Sequence, residues 1–274
     1  MRIGFVTCLE RGIVSDDALI ADALRHEGVH VEPVFWDGGP PPNLDALVLR
    51  SPWNYHLAPE RFLEWIDRAA AQTPVFNDPR TVRWNAHKAY LFEMQQTGIA
   101  IAPTVLCSKE RRPELHAIMA ERSWTRVIVK PAISASSFMT GIAGMSDNGQ
   151  QLLDRILETR DALIQPFMPE VFERGERCLI FIDGDFSHAV QKAPFTDEPG
   201  GGRRVPAEQR EIEIGELALS IVDRMPLYAR VDLIRGEDGI DRLMEFELID
   251  PELYMRFDEV APRRFASAVL QRLG

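Results

Sequence analysis

The sequence predicts a small parallel α/β unit followed by a larger α+β unit, and three observations carry that expectation. Over roughly the first 80 residues, short apolar runs alternate with helix-patterned stretches, as in β-α-β packing. Beyond them, apolar runs are separated by Asp183-Gly184 and Asp238-Gly239, dipeptides that favour antiparallel hairpins. The chain of 274 residues is long enough for such units to share one cleft.

In order, residues 3–7 read as a buried strand, and 15–25 as a helix with Ser15 as its cap and Gly28 as its stop. Strands follow at 31–36 and 45–49, then a helix over 60–70 and a short strand at Val75-Phe76. The pattern then changes. Residues 84–97 read as a helix ended by Gly98, a strand begins at Pro103-Thr104, and 127–130 form another strand. A helix covers 148–158. From Ala162 onward strands alternate with turns, interrupted by a helix near 207–224 and closed by one over 260–273.

Acidic residues outnumber basic ones, 42 to 31, for a net charge of −11. That balance disfavours non-specific binding to nucleic acid or anionic membrane. No apolar run approaches the ~18 residues of a membrane span. The apolar run at the start is too short for a signal peptide, and Glu10 and Arg11 follow it closely; the expectation is a cytoplasmic protein. Cys8, Cys107 and Cys178 lie far apart and form no Cys/His cluster, which argues against structural zinc or a disulfide framework.

The most informative stretch is residues 228–249. With Asp238-Gly239 as a two-residue turn, Glu237 pairs with Ile240, Asp232 falls opposite Glu245, and Arg230 opposite Glu247. Residues two apart on a strand share a face. Asp232, Glu245 and Glu247 therefore converge, with Arg230 among them. Acidic residues opposed across a ladder destabilise it, and a cation such as Mg²⁺ relieves the repulsion. The same residues read equally well as a solvated face balanced by Arg230.

Lys130 ends the apolar run 127–129 and precedes Pro131, while Lys88 lies in a helical pattern beside Tyr90 and Leu91. A lysine at the end of a buried strand serves as a point-charge phosphate ligand; a snorkelling lysine is the plainer alternative. The small residues after Pro131, Ser134, Ser136 and Ser137 among them, offer hydroxyls and backbone N–H groups to an anion. Neither a Walker loop nor a G-x-G-x-x-G fingerprint occurs. Arg50 closes the third strand, at the end of the sheet where α/β folds bind ligands. With Trp53 and Tyr55 it reads as a clamp for a substrate carboxylate between aromatic walls, or as interdomain packing. The glycine-rich segment 195–204 reads as a loop closing over substrate, or as a plain surface loop. His87 and His188 read as structural.

Taken in order, Trp84-Asn85-Ala86-His87-Lys88, Val129-Lys130-Pro131, Gln165-Pro166-Phe167-Met168-Pro169-Glu170, Gly175-Glu176-Arg177, Val231-Asp232 and Glu245-Phe246-Glu247 resemble the ATP-grasp superfamily, in particular its glutathione synthetase-like branch. The resemblance spans roughly residues 80–274. It implies an ATP-grasp fold, with an N-terminal parallel α/β domain (1–82) and two α+β subdomains clamping ATP, a lid (83–164) and a C-terminal subdomain with the metal site (165–274). Lys88 and Lys130 would contact phosphates, Ser136 and Ser137 would line the phosphate loop, and Gln165, Pro166, Phe167 and Met168 would form the hinge against adenine. Glu176 would meet the ribose, and Lys192 the γ-phosphate, although Lys192 reads equally as a solvated lysine on an exposed strand. Asp232, Glu245 and Glu247 would hold two Mg²⁺ ions, with Mn²⁺ as the alternative metal.

The activity implied is ATP-dependent joining of a carboxylate to an amine through an acyl phosphate, between two small molecules or within one. Arg230 would stabilise the transferring phosphoryl group, or simply pair with Glu247. A small-molecule carboxylate and amine are the implied partners, and a homodimer is common among such enzymes. Arg50-Ser51-Pro52-Trp53-Asn54-Tyr55 and Leu248-Ile249-Asp250-Pro251 resemble a narrower group that includes the ligase closing the D-cycloserine ring from an O-ureido-serine precursor. The chain departs from the family at Ser134-Ala135-Ser136-Ser137, where glycines are frequent, at Glu247, often asparagine, and at Cys178, often a more polar residue. An ATP-grasp kinase that forms no C–N bond and a nucleotide-binding module without catalysis are the competing functions.

Overall fold

The structure, a computed structural model, describes residues 1–145, 148–192 and 201–274. Its N-terminal sheet holds parallel strands β1 (Arg2–Thr7), β2 (His30–Phe35), β3 (Ala46–Ser51) and β4 (Val75–Phe76) in the order β2-β1-β3-β4. Helices α1 (Ser15–His26) and α2 (Pro59–Ala70) cover opposite faces. Ile3, Phe5 and Val48 face a core shared with α1, whereas Val6, Leu47 and Leu49 pack on Phe62 and Trp65 of α2. With both faces covered, β3 is buried along its whole length, and its first four residues, Ala46 to Leu49, are all apolar.

The single helix expected over 84–97 is two helices, α3 (Pro79–Asn85) and α4 (Tyr90–Gln96). The chain leaves the helix between them because its polar groups bond elsewhere. The Lys88 N–H donates to the Ala132 carbonyl (2.9 Å), and the Asn85 amide donates to Phe246 O (2.6 Å). Lys88 therefore stands in a break between helices, not on a helix face.

The second sheet is antiparallel. Strands β5 (Val105–Cys107), β6 (Arg126–Pro131), β7 (Gly141–Gly144) and β8 (Ala162–Pro166) run in the order β5-β8-β6-β7. Helices α5 (Leu115–Glu121) and α6 (Gly149–Leu157) pack on Val127, Val129 and Ile164. After the short α7 (Glu170–Arg174) comes the third sheet, with β9 (Glu176–Ile182), β10 (Asp185–Lys192), β11 (Arg203–Val205), β12 (Tyr228–Arg235) and β13 (Asp241–Glu247). Its order is β11-β10-β9-β12-β13. Helix α8 (Gln209–Ser220) lies before β12, and α9 (Ala261–Leu273) returns to pack against α1 beneath the N-terminal sheet.

The β12–β13 hairpin departs from the expected two-residue turn. Residues 236–240 form the loop, and Leu233 faces Leu243. A bulge at Met244 then absorbs one residue, so that Asp232 faces Glu245 and Arg230 faces Glu247. The two departures cancel at the carboxylates.

As the edge strand, β13 has its free backbone groups covered. Asn85 Oδ1 accepts from Leu248 N (2.9 Å), Tyr90 Oη accepts from Phe246 N (2.9 Å), and Ala100 O accepts from Leu243 N (2.8 Å). Side chains and a neighbouring loop thus take the place of a further strand. Among the described residues no helix is long and apolar enough to cross a membrane.

Candidate active site

Alternation along β9, β10, β12 and β13 brings one set of polar side chains to one face of the third sheet. In register, Lys192 faces Glu176, Cys178 faces Asp232, Asp232 faces Glu245 and Arg230 faces Glu247. Lys130, from β6 of the second sheet, reaches across so that its Nζ lies 2.8 Å from Glu245 Oε1. From the α3–α4 break, Lys88 Nζ lies 3.9 Å from the other Glu245 oxygen and donates to Ser134 O (3.1 Å). Both lysines are 7% exposed, so their charges are answered inside the cleft.

Arg230 lies along Asp232, with Nε to Oδ1 at 2.9 Å and Nη2 to Oδ2 at 2.8 Å, and also bonds Glu247. Lys192 Nζ stands 3.4 Å from Glu176. Burial raises the Glu176 carboxyl above its ordinary range, while Glu176 beside it raises the Lys192 ammonium. Burial also pushes up Glu245, but Lys130 and Lys88 outweigh it and hold that carboxyl low. Glu247 is raised to about 8 by burial and neighbouring carboxylates, even with Arg230 at its side. Unequal environments thus give adjacent carboxyls different proton affinities.

Of the three carboxylates expected to bind metal, Asp232 belongs to a close group of a different make-up. The ligand atoms of Glu176, Cys178 and Asp232 lie within 4.8 Å of one another, the one such group among the described residues. Glu245 is turned to the lysines and Glu247 to Arg230. Cys178 is fully buried and its thiol is pushed up by burial, so it is a protonated neighbour of the carboxylates.

The other expected nucleotide contacts are spread along the second sheet. Ser136 and Ser137 are exposed on the loop after β6, with φ of 50° and 56°. This left-handed backbone is one that glycine adopts without strain, so the loop keeps a glycine-like path with serines in place. The Gln165 amide is engaged by Thr104 Oγ1 (2.9 Å), and Pro166 pairs with Val127. Phe167 lies under the Arg126 guanidinium (4.3 Å) and against Phe172, and Met168 leads into α7. Most of the expected closing loop, 195–204, lies outside the described residues; its end, Arg203-Arg204, lies in β11.

Arg50 does not form the expected clamp for a substrate carboxylate. It is 1% exposed, with Nε and Nη2 both on Asp17 Oδ1 (2.9 and 2.8 Å) and Nη2 also on Pro251 O (3.1 Å). The first turn of α1 buries Asp17 against the end of β3, and the arginine charge is consumed there. Tyr55 packs on Phe62, and Trp53 Nε1 donates to Asp250 O (3.0 Å).

That last contact is one of four. Trp53 donates to Asp250 O, Arg50 to Pro251 O, Arg230 Nη1 to Glu252 O (3.2 Å) and His188 Nε2 to Leu253 O (3.0 Å). Four successive carbonyls each have a side-chain donor; the Tyr228 hydroxyl, just before them, lies between Leu49 O (2.5 Å) and Ile249 O (2.9 Å) with one proton for the two. The Asp250 carboxylate carried by this segment has no hydrogen bond or ion pair with the described residues. Burial raises it to about 6, against the pull of Lys88, Arg230 and Arg50. Sequence reasoning named Asp250 within the Leu248-Ile249-Asp250-Pro251 resemblance and gave it no role of its own.

Comparison with known proteins bears on this arrangement. Residues 3–77 match the family described as the N-terminal domain of D-cycloserine synthetase DcsG. The cycloserine biosynthesis protein DcsG of Streptomyces lavendulae is 28% identical over 93% of this chain and 92% of its own length. The crystal structure of D-cycloserine synthetase DcsG superposes with a TM-score of 0.91 at 26% identity, covering all of both chains. The ATP-bound D-alanine–D-alanine ligase of Bacillus anthracis shares the fold at a TM-score of 0.68 and 15% identity, covering all of this chain and 97% of that one.

The chain has the ATP-grasp fold and is similar along its whole length to D-cycloserine synthetase DcsG. The candidate site centres where Lys130 of the second sheet meets Glu245 of the third. Its donor set fits a phosphate-bound divalent cation: carboxylate oxygens suit a hard ion, and two buried ammonium groups suit phosphate.

Proposed function

We propose that the chain is an ATP-dependent ligase joining a carboxylate to an amine through an acyl phosphate, on a small amino-acid-like substrate. The observation that carries this reading is the Lys88–Glu245–Lys130 group set across from Arg230 and Asp232. Lys88 and Lys130 bind and orient phosphate oxygens, and Arg230 stands where charge develops on the group in transfer. Asp232, Glu245 and Glu247 hold divalent ions; we favour two, given the number of carboxylates on the face. A bound Mg²⁺ supplies charge neutralisation and in-line alignment of the phosphates. Relationship to D-cycloserine synthetase supports ring closure within one molecule as the form of the reaction. Three unpaired, buried cysteines fit a reducing compartment, and we place the protein in the cytoplasm.

The test is Mg-ATP turnover against a panel of amino-acid-like carboxylates, with and without added amines, following ADP and product mass together. A ligase gives substrate-dependent ADP and a product lighter by one water. A phosphorylated product without a new amide would establish a kinase instead, and a chain that fails to bind Mg-ATP would overturn both.

A further inference from the structure

The loop between β6 and β7 follows a path that its own residues disfavour, and what holds it there lies outside the second sheet. Ser136, Ser137 and Met139 have φ of 50°, 56° and 49°, a left-handed conformation that glycine adopts freely and other residues only at a cost. Three such residues within four positions persist only where the surroundings fix them. Phe138, the one residue of 136–139 outside that conformation, carries the fixing contacts. Its ring lies 4.7 Å from the ring of His56, in the turn after β3, and 5.4 Å from the guanidinium of Arg160, just before β8. Arg160 Nη1 closes the triangle by donating to His56 O (2.9 Å), and His56 is itself buried. Ile133 and Ala135, earlier in the loop, pack against the apolar core around Phe62 and Trp65. The other end of the arrangement reaches the lysines. Asp161 O accepts from Ala132 N (2.8 Å), its carboxylate lies 3.5 Å from His87, and Lys88 Nζ donates to Ser134 O. Residues 160 and 161 thus join the N-terminal turn, the loop and the break that carries Lys88.

We propose that Phe138, held by His56 and Arg160, is a positioning residue that keeps the 134–139 loop in the shape that receives the terminal phosphates of ATP. This rests on the reading of that loop as phosphate-binding and adds how the loop is shaped before the nucleotide arrives. A loop already in its binding shape saves the ordering cost that a floppy one incurs at each encounter. With the ring removed, Ser136, Ser137 and Met139 return to ordinary backbone angles, and the binding-competent fraction falls. Apparent affinity falls by the same fraction. The segment expected against adenine, Gln165 to Met168, begins at the far end of β8 from Arg160 and takes no support from Phe138. Loss of the contact is therefore felt by a nucleotide's terminal phosphates and not by its base.

The experiment measures binding of Mg-ATP and of AMP to the full chain by calorimetry, and amide hydrogen exchange over residues 133–140 without nucleotide. Phe138→Ala should weaken Mg-ATP by about 10-fold, the worth of one aromatic pair with one cation–π contact. AMP affinity should stay within about two-fold, and exchange in the empty loop should quicken by about the same 10-fold. Phe138→Tyr keeps the ring and should restore all three values. Arg160→Met takes the cation off the ring without emptying the core, and serves if Phe138→Ala does not fold; it should weaken Mg-ATP several-fold. Combined with Phe138→Ala it should add little, since both act through one contact. Unchanged Mg-ATP affinity in the variants overturns the proposal, as does unchanged loop exchange. Equal losses for Mg-ATP and AMP mark a general structural role and overturn it too. A different failure belongs to the underlying reading: if the unaltered chain binds no Mg-ATP, the nucleotide site itself is wrong and the proposal goes with it.

Discussion

Lys130 Nζ and Glu245 Oε1 lie 2.8 Å apart, so a strand of the second sheet and a strand of the third meet through one buried charge pair. Glu245→Gln keeps the shape but removes the charge that two lysines share. The variant should remain folded, with unfolding free energy lower by about 1–2 kcal/mol, discounted for partial exposure of the carboxylate. Mg-ATP turnover should fall by about 100-fold or more. Urea unfolding and ADP release, measured on the same preparation, check both halves; unchanged turnover would remove Glu245 from the metal set.

The buried Asp17–Arg50 pair invites a double-mutant cycle. Arg50→Met alone strands an acid, and Asp17→Leu alone strands a guanidinium, and each should cost about 3–5 kcal/mol. The double variant should recover much of that, because two apolar side chains leave no buried charge behind. Additive losses in chemical denaturation would show that Arg50 acts through Pro251 O rather than through Asp17.

Three histidines should make the protein less stable in mild acid. His56, His87 and His188 are all lowered from the usual histidine value, burial being the largest cause in each. The unfolded chain binds protons at these sites from about pH 6.5 downward, where the folded chain still does not. The histidine contribution is therefore full above that pH and is lost as pH falls below it, by up to about 1.4 kcal/mol per pH unit for each proton. His188 Nε2 donates to Leu253 O, and in the neutral ring that burial favours Nδ1 accepts from the Ser187 hydroxyl. His188→Gln can keep the donor without titrating and should flatten the profile between pH 7 and 5.5, as read from urea midpoints.

Gly215 separates helix preference from packing. A Cβ at this position of α8 would lie 2.3 Å from the ring of Phe181, which is fully buried. Alanine gains about 1 kcal/mol in helix propensity, while overpacking a core costs about 1–3 kcal/mol. Gly215→Ala should be destabilising on balance, and a raised melting temperature would show that the ring can move aside.

Local signals carried much of the fold into view. The β-α-β alternation of the first unit is written in period and punctuation, and the parallel sheet follows from it. The facing of Asp232 with Glu245 was legible for a less secure reason, because a longer loop and a bulge at Met244 offset each other. Lys88 was legible as a residue but not as a position, since the helix breaks for bonds to Ala132 and β13, partners distant in sequence. Arg50 misled because its exposure depends on Asp17, whose burial no local pattern announces.

The four tied carbonyls from Asp250 to Leu253 also constrain how this protein can change. Gain or loss of one residue there would shift every donor out of step with its acceptor, whereas exchange of a side chain at 250 or 252 disturbs none of them. Divergence in this segment is therefore expected to proceed by substitution at constant length, and a transplanted segment should fold in place only if it brings the same number of residues.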